Sequence, residues 1–130
     1  GMDGLHFESI RSWSFDDGSD LGSYNTQQHW LTHQNRLYLS YTRRGAGNDH
    51  IPRHRAPLFL AEVDPERLVV LRDTEQVLIP ERGATLGNFG AGPVTPDESW
   101  VTVSEGVWSD EARQRGATGA TWIASSRWNT

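Results

Sequence analysis

Polar and apolar residues alternate along much of this chain with a period of two, in short runs separated by turn-forming clusters. Leu37, Leu39 and Tyr41 fall on one side of residues 37–42, with Tyr38, Ser40 and Thr42 on the other, which is the side-chain alternation of a strand. Residues 29–32 predict the strand before it, and residues 33–36 a hairpin turn between the two. After a long polar loop over residues 43–57, residues 58–63 predict a third strand. Residues 64–67 predict a turn, in which Pro65 pre-sets its backbone angle. Residues 68–71 and 76–79 are short runs, one of which is expected to complete a four-stranded unit over about residues 28–80.

A second set follows over about residues 87–128. Residues 88–94 are a glycine-rich strand with room for a bulge. Residues 95–98 form a turn. Residues 100–105 alternate cleanly, with Val101 and Val103 opposite Trp100, Thr102 and Ser104. Residues 106–118 read as a polar loop with one helical turn around residues 110–114, and residues 120–128 as the last strand. This second unit is one strand short, and the N-terminal run of residues 6–15 is expected to supply it. The fold class is therefore all-β, with about two four-stranded antiparallel units in one domain.

Composition narrows the function. A length of 130 fits one domain, and only 35% of residues are hydrophobic. The net charge of -5 argues against nucleic acid as a partner. With no cysteine there are no disulfides, thiolate metal sites or cysteine nucleophile. No apolar run approaches the ~20 residues of a membrane span, so no membrane partner is expected. No signal peptide is visible, Gly1-Met2 reads as a tag remnant, and the compartment stays open. Six tryptophans are many for this length and serve equally as β-core or as platforms for sugar rings.

Residues Ser14-Phe15-Asp16-Asp17-Gly18-Ser19-Asp20-Leu21 approach the pattern Ser-x-Asp-x-Gly-x-x-Trp, with Leu21 in the aromatic place. The likeness extends through Tyr41-Thr42-Arg43-Arg44-Gly45, Asn48-Asp49-His50, Arg53-His54-Arg55-Ala56-Pro57-Leu58-Phe59, Arg82 to Gly90 and Ser99 to Val103. Over about residues 12–105 the chain resembles the C-terminal part of bacterial sialidase-like proteins with Asp-box (BNR) repeats. The resemblance implies a β-propeller and a carbohydrate ligand. It leaves open a glycoside hydrolase or a non-catalytic, lectin-like or structural module. At about 40–50 residues per blade the chain holds roughly two blades, a partial propeller. Open strand edges then predict a homo-oligomer or a fragment of a longer chain. Ser14, Asp16 and Gly18 are expected to be structural: Asp16 bonds backbone N–H groups and Gly18 supplies a positive φ.

Candidate chemistry concentrates in the loop. Arg43, Arg44, Arg53 and Arg55 place four of the twelve basic residues within residues 43–55 of an acidic chain. A guanidinium fork holds a carboxylate through two parallel hydrogen bonds, so Arg43, Arg53 and Arg55 are candidate ligands for an anionic sugar, with Asp49 and His50 orienting them. The competing reading pairs these arginines with Asp49, Glu62 or Asp64 to fix the loop. Trp30 packs in the core or offers a sugar platform. Glu105, at the end of an alternating strand, is the candidate catalytic carboxylate; its alternative is an arginine partner or a solvated side chain. The resemblance implies a tyrosine nucleophile beside a glutamate, and Tyr24, Tyr38 and Tyr41 are available without a matching local context. The acid and first arginine of that family's site belong to blades this chain lacks. His29, His50 and His54 match no metal-binding spacing, residues 88–92 lack the lysine and helix of a phosphate loop, and no cofactor or metal is implied.

Overall fold

A computed structural model describes residues 3–24 and 26–128. The protein is all-β, and its strands form two antiparallel sheets. In the first, β1 (Gln28–His33), β2 (Arg36–Tyr41) and β3 (Leu58–Asp64) run as a meander. Both of the following short runs then lie along β3, rather than one of them. β4 (Val69–Val70) pairs with Val63 and Asp64, and β5 (Gln76–Ile79) pairs with Leu58 to Leu60. A 3-10 turn, Arg72–Thr74, bridges the break. There the Glu62 N–H donates to Thr74 Oγ1 at 2.8 Å and Leu71 N–H to the Glu62 carbonyl at 2.9 Å, so the interrupted ladder leaves these groups satisfied.

In the second sheet β8 (Glu98–Gly106) is central. β9 (Thr121–Arg127) pairs along one side of it, and β7 (Gly90–Thr95) and β6 (Thr85–Leu86) follow one another along the other. The loop between β8 and β9 carries the expected helical turn, α1 (Asp110–Gln114). Ser109 caps it, its side chain accepting from the Ala112 N–H at 3.1 Å.

Period-two alternation decides how the layers stack. Leu31, Leu58, Leu60 and Ile79 from the first sheet meet Val101 and Val103 from the second in one buried core with Leu86 and Phe89. Burying each such side chain stabilises the fold by about 1.5–3 kcal/mol. The intervening residues Leu39, Tyr41, Phe59, Ala61 and Val63 face the other way and are also buried, under Phe15 and Leu21. β3 is thus covered on both faces, which is why it reads as an almost unbroken apolar run. The second sheet is covered on one face, and Trp100 and Ile123 stay exposed on the other.

The N-terminal run corrects an expectation. It adds no strand to the second sheet. Ser14 bridges Asp20 across a turn, and Phe15 bridges Val70 of the first sheet. Phe15 and Leu21, the apolar residues flanking that turn, cap the outer face of β2 and β3, which would otherwise lie open to water. Gly18 sits at the turn with φ +88, a conformation glycine adopts without steric cost. Asp16 Oδ1 accepts from the Arg72 N–H at 3.1 Å and the Asp16 N–H donates to the Val70 carbonyl at 2.9 Å, tying the turn to the β4 edge. Among the described residues no helix is long and apolar enough to cross a membrane.

Candidate functional site

The loop between β2 and β3 is built around Asn48, which is 1% exposed. Its Nδ2 donates to the carbonyls of Ala56 at 2.7 Å and Arg43 at 2.9 Å, and lies 3.3 Å from that of His54. This clamp draws both ends of the loop together. Ile51 and Ala56 anchor it in the core between the sheets. Between these anchors, Pro52–His54 makes a 3-10 turn in which Arg53 and His54 are left-handed, with φ 58 and 52. Two successive non-glycine residues in that region cost on the order of 1 kcal/mol or more each, and such strain persists only where the surroundings impose it.

The strained turn forms one wall of an open cavity of about 450 Å³, lined by Pro52, Arg53, Arg55, Thr85 and Trp108. Arg53 is exposed. Trp108 is 78% exposed although it is a large aromatic residue. Gly106 makes room for it: a Cβ on residue 106 would lie 2.8 Å from the Trp108 Nε1. The cavity therefore brings the exposed Arg53 together with the half-buried Arg55, one hydroxyl and one aromatic ring, and none of its lining residues is a carboxylate; the Arg55 guanidinium itself reaches Asn88, its Nη1 3.5 Å from Oδ1. The tight left-handed turn, rather than an extended segment, brings Arg53 and Arg55 to one cavity.

The other candidates are placed elsewhere. Arg43 does not join them. Its Nε and Nη2 bind the two oxygens of Glu75 at 2.9 and 2.7 Å, and its guanidinium lies 4.8 Å from the centre of the Phe59 ring. This is the loop-fixing reading, with Glu75 in place of Asp49, Glu62 or Asp64. Tyr41, fully buried, donates its hydroxyl to the same carboxylate at 2.6 Å. Burial, then the Glu75 hydrogen bond and charge, pushes the Tyr41 hydroxyl far above the usual tyrosine range. Burial raises Glu75 too, but the hydrogen bonds from Arg43 and Tyr41 outweigh it and hold the carboxyl below its ordinary value.

Glu105 is likewise committed. Its side chain is 1% exposed and binds Arg82 Nε at 2.8 Å. It also accepts the backbone N–H groups of Ala120 at 3.1 Å and Thr118 at 3.3 Å. Burial pushes its pKa up, while Arg82 and those two N–H groups bring it below the ordinary carboxylate value. Glu105 is an ionised strut between the end of β8 and the start of β9, poorly suited to giving up a proton.

His50 does not orient the arginines; its Nε2 lies 3.1 Å from Glu81, which Arg115 also binds at 3.0 Å. Asp49 is 96% exposed, with His54 at 3.7 Å as its partner. Tyr24 stacks edge-on against His54 and His29 against Phe89, so the histidines disperse. Trp30 lies on the outer face of β1, half exposed, edge-on to Trp13. Compared with known proteins, the chain matches no family model, no curated protein and no solved structure.

Pro52, Thr85 and Trp108 are the cavity residues that sequence reasoning passed over. The signal for Trp108 was a lone aromatic in an otherwise polar loop, residues 106–118.

Proposed function

We propose that this chain is a non-catalytic carbohydrate-binding module of propeller type, which takes an anionic sugar in the cavity between Arg53, Arg55 and Trp108. The observation that carries the reading is the pairing of an exposed indole with the exposed Arg53 around an open cavity on a strained, clamped turn, with Arg55 in its lining. An indole face suits the apolar face of a sugar ring, and a guanidinium suits a carboxylate. Strain held in place by Asn48 presents the arginine without further ordering on binding. The propeller assignment draws support from the antiparallel first sheet, whose β1–β2–β3 meander is completed by β4 and β5 together along β3, with the second sheet packed upon it. It draws support also from the Asp-box turn, where Gly18 and Asp16 take the roles that motif implies.

A sialidase-like hydrolase is the second reading, and the Tyr41–Glu75 contact of 2.6 Å favours it. Against it, Tyr41 is wholly buried, and Glu75 and Glu105 are each held by an arginine.

The test is titration with a sialylated trisaccharide and with its neutral counterpart, followed by tryptophan fluorescence and calorimetry. Saturable binding of the acidic sugar is expected, with the neutral sugar bound more weakly. Arg53→Ala and Trp108→Ala are each expected to weaken binding about tenfold or more. Equal affinity for the neutral sugar, or unchanged affinity in Arg53→Ala, rules the reading out. Release of free sialic acid would favour the hydrolase.

A further inference from the structure

The two sheets separate at the end of the molecule opposite the strained turn. Between β5 and β9 they leave a cleft of about 490 Å³, lined on its apolar side by Tyr38, Leu60, Leu78 and Trp128. Arg36 and Arg127 stand on its rim. Both bordering strands have an open edge: among the described residues β5 pairs only with β3, and β9 only with β8. The cleft is mixed, its apolar side facing a polar one that includes Glu62, Gln76 and Ser125. Unpaired N–H and C=O groups flanking such a cleft form a receptor for an added amphipathic strand.

The same molecule carries a segment that lacks a place to bury itself. Residues 5–10 form no described strand or helix, yet Leu5, Phe7 and Ile10 are 78%, 80% and 100% exposed. Six extended residues span about 20 Å, close to the length of seven-residue β9. In a strand, Leu5 and Phe7 would share one face and Glu8 the other. The segment also carries Asp3 and Glu8, opposite in sign to Arg127 and to Arg36, whose charge is shared with Glu62 of the same cleft at 3.8 Å. Length, apolar content, backbone edges and the charge at Arg127 therefore match.

We infer that the chain self-associates by strand addition, the N-terminal segment of one copy lying in the β5–β9 cleft of another. Leu5 and Phe7 bury against Leu78 and Trp128, and Glu8 lies toward the arginines. The reciprocal exchange closes a two-fold dimer, while one-way exchange extends into a chain of copies.

The absence of native cysteine makes the test clean. Full-length Phe7→Cys and Gln76→Cys chains are mixed in equal amounts and oxidised, and the unmodified chain is weighed by light scattering across a concentration series. The expected results are a mixed disulfide dimer carrying one of each chain and a concentration-dependent rise in mass. Leu5→Asp with Phe7→Asp should weaken association at least about tenfold. Those positions are exposed within one chain, so the variant's melting temperature at low concentration should not change. A protein that stays monomeric throughout, association unmoved by the two aspartates, or Phe7→Cys and Gln76→Cys chains that each link only to their own kind would overturn the inference. Sugar binding by a monomer remains a separate readout and does not bear on it.

Discussion

Arg53 sits where a side chain is unfavourable, and its neighbours give the reason. The Asn48 clamp and the buried Ile51 and Ala56 fix both ends of the turn, so the backbone between them has no other course. Arg53→Ala keeps the strain and loses the guanidinium, whereas Arg53→Gly loses both. The glycine variant should be about 1 kcal/mol more stable than the alanine variant in urea denaturation, with sugar binding lost equally in both. Equal stability would mean that the turn is not strained. That the loop concentrates positive charge was legible in the sequence, since it reverses the sign of an acidic chain. Which arginine is free was not legible. Arg43 and Glu75 are 32 residues apart and meet only because β5 runs back along β3. No spacing rule connects them. The role of Glu105 was hidden similarly, because Arg82 and the Thr118–Ala120 backbone reach it through the pairing of β8 with β9.

Among the elements, β2 and β8 were readable from a clear period of two, which places apolar side chains toward a buried face, and β3 from its almost unbroken apolar run, which is buried on both faces. The N-terminal run was misassigned because an apolar pair around a turn looks much like a strand when the face it covers is unknown. The elements also depend on ion pairs for their joins. Glu75 ties β5 to the loop after β2, and Glu105 ties β8 to the start of β9. Both carboxyls have folded-state pKa values below their unfolded ones, so the unfolded chain binds protons first as the pH falls. Their contribution is complete above the unfolded value of about 4.3 and is lost as the pH drops through the lower folded values. Melting temperature should therefore be nearly flat in this respect from pH 5 to 8 and fall on further acidification. Glu75→Gln should cost about 2 kcal/mol at pH 7, because Arg43 and Tyr41 lose a charged partner, and should flatten the acid limb. An acid limb identical to that of the unmodified chain would remove Glu75 from this account.

At the scale of the whole molecule the three layers are unequal. The first sheet lies between the second sheet on one side and the Asp-box segment on the other, while the second sheet has one wet face. A solvent-exchange experiment makes this asymmetry measurable. Backbone amides of β2 and β3 can meet deuterium only when a covering layer has lifted away, whereas those of β7 and β9 need only a local opening at an edge. In deuterium oxide the central amides of β2 and β3 should thus be the last to exchange, at a rate set by global unfolding. Those of β9 should exchange markedly sooner. The first sheet then acts as the keel of the molecule: the edge strands of the second sheet, on either side of the strand that leads to Trp108, are expected to fray locally while the keel stays intact.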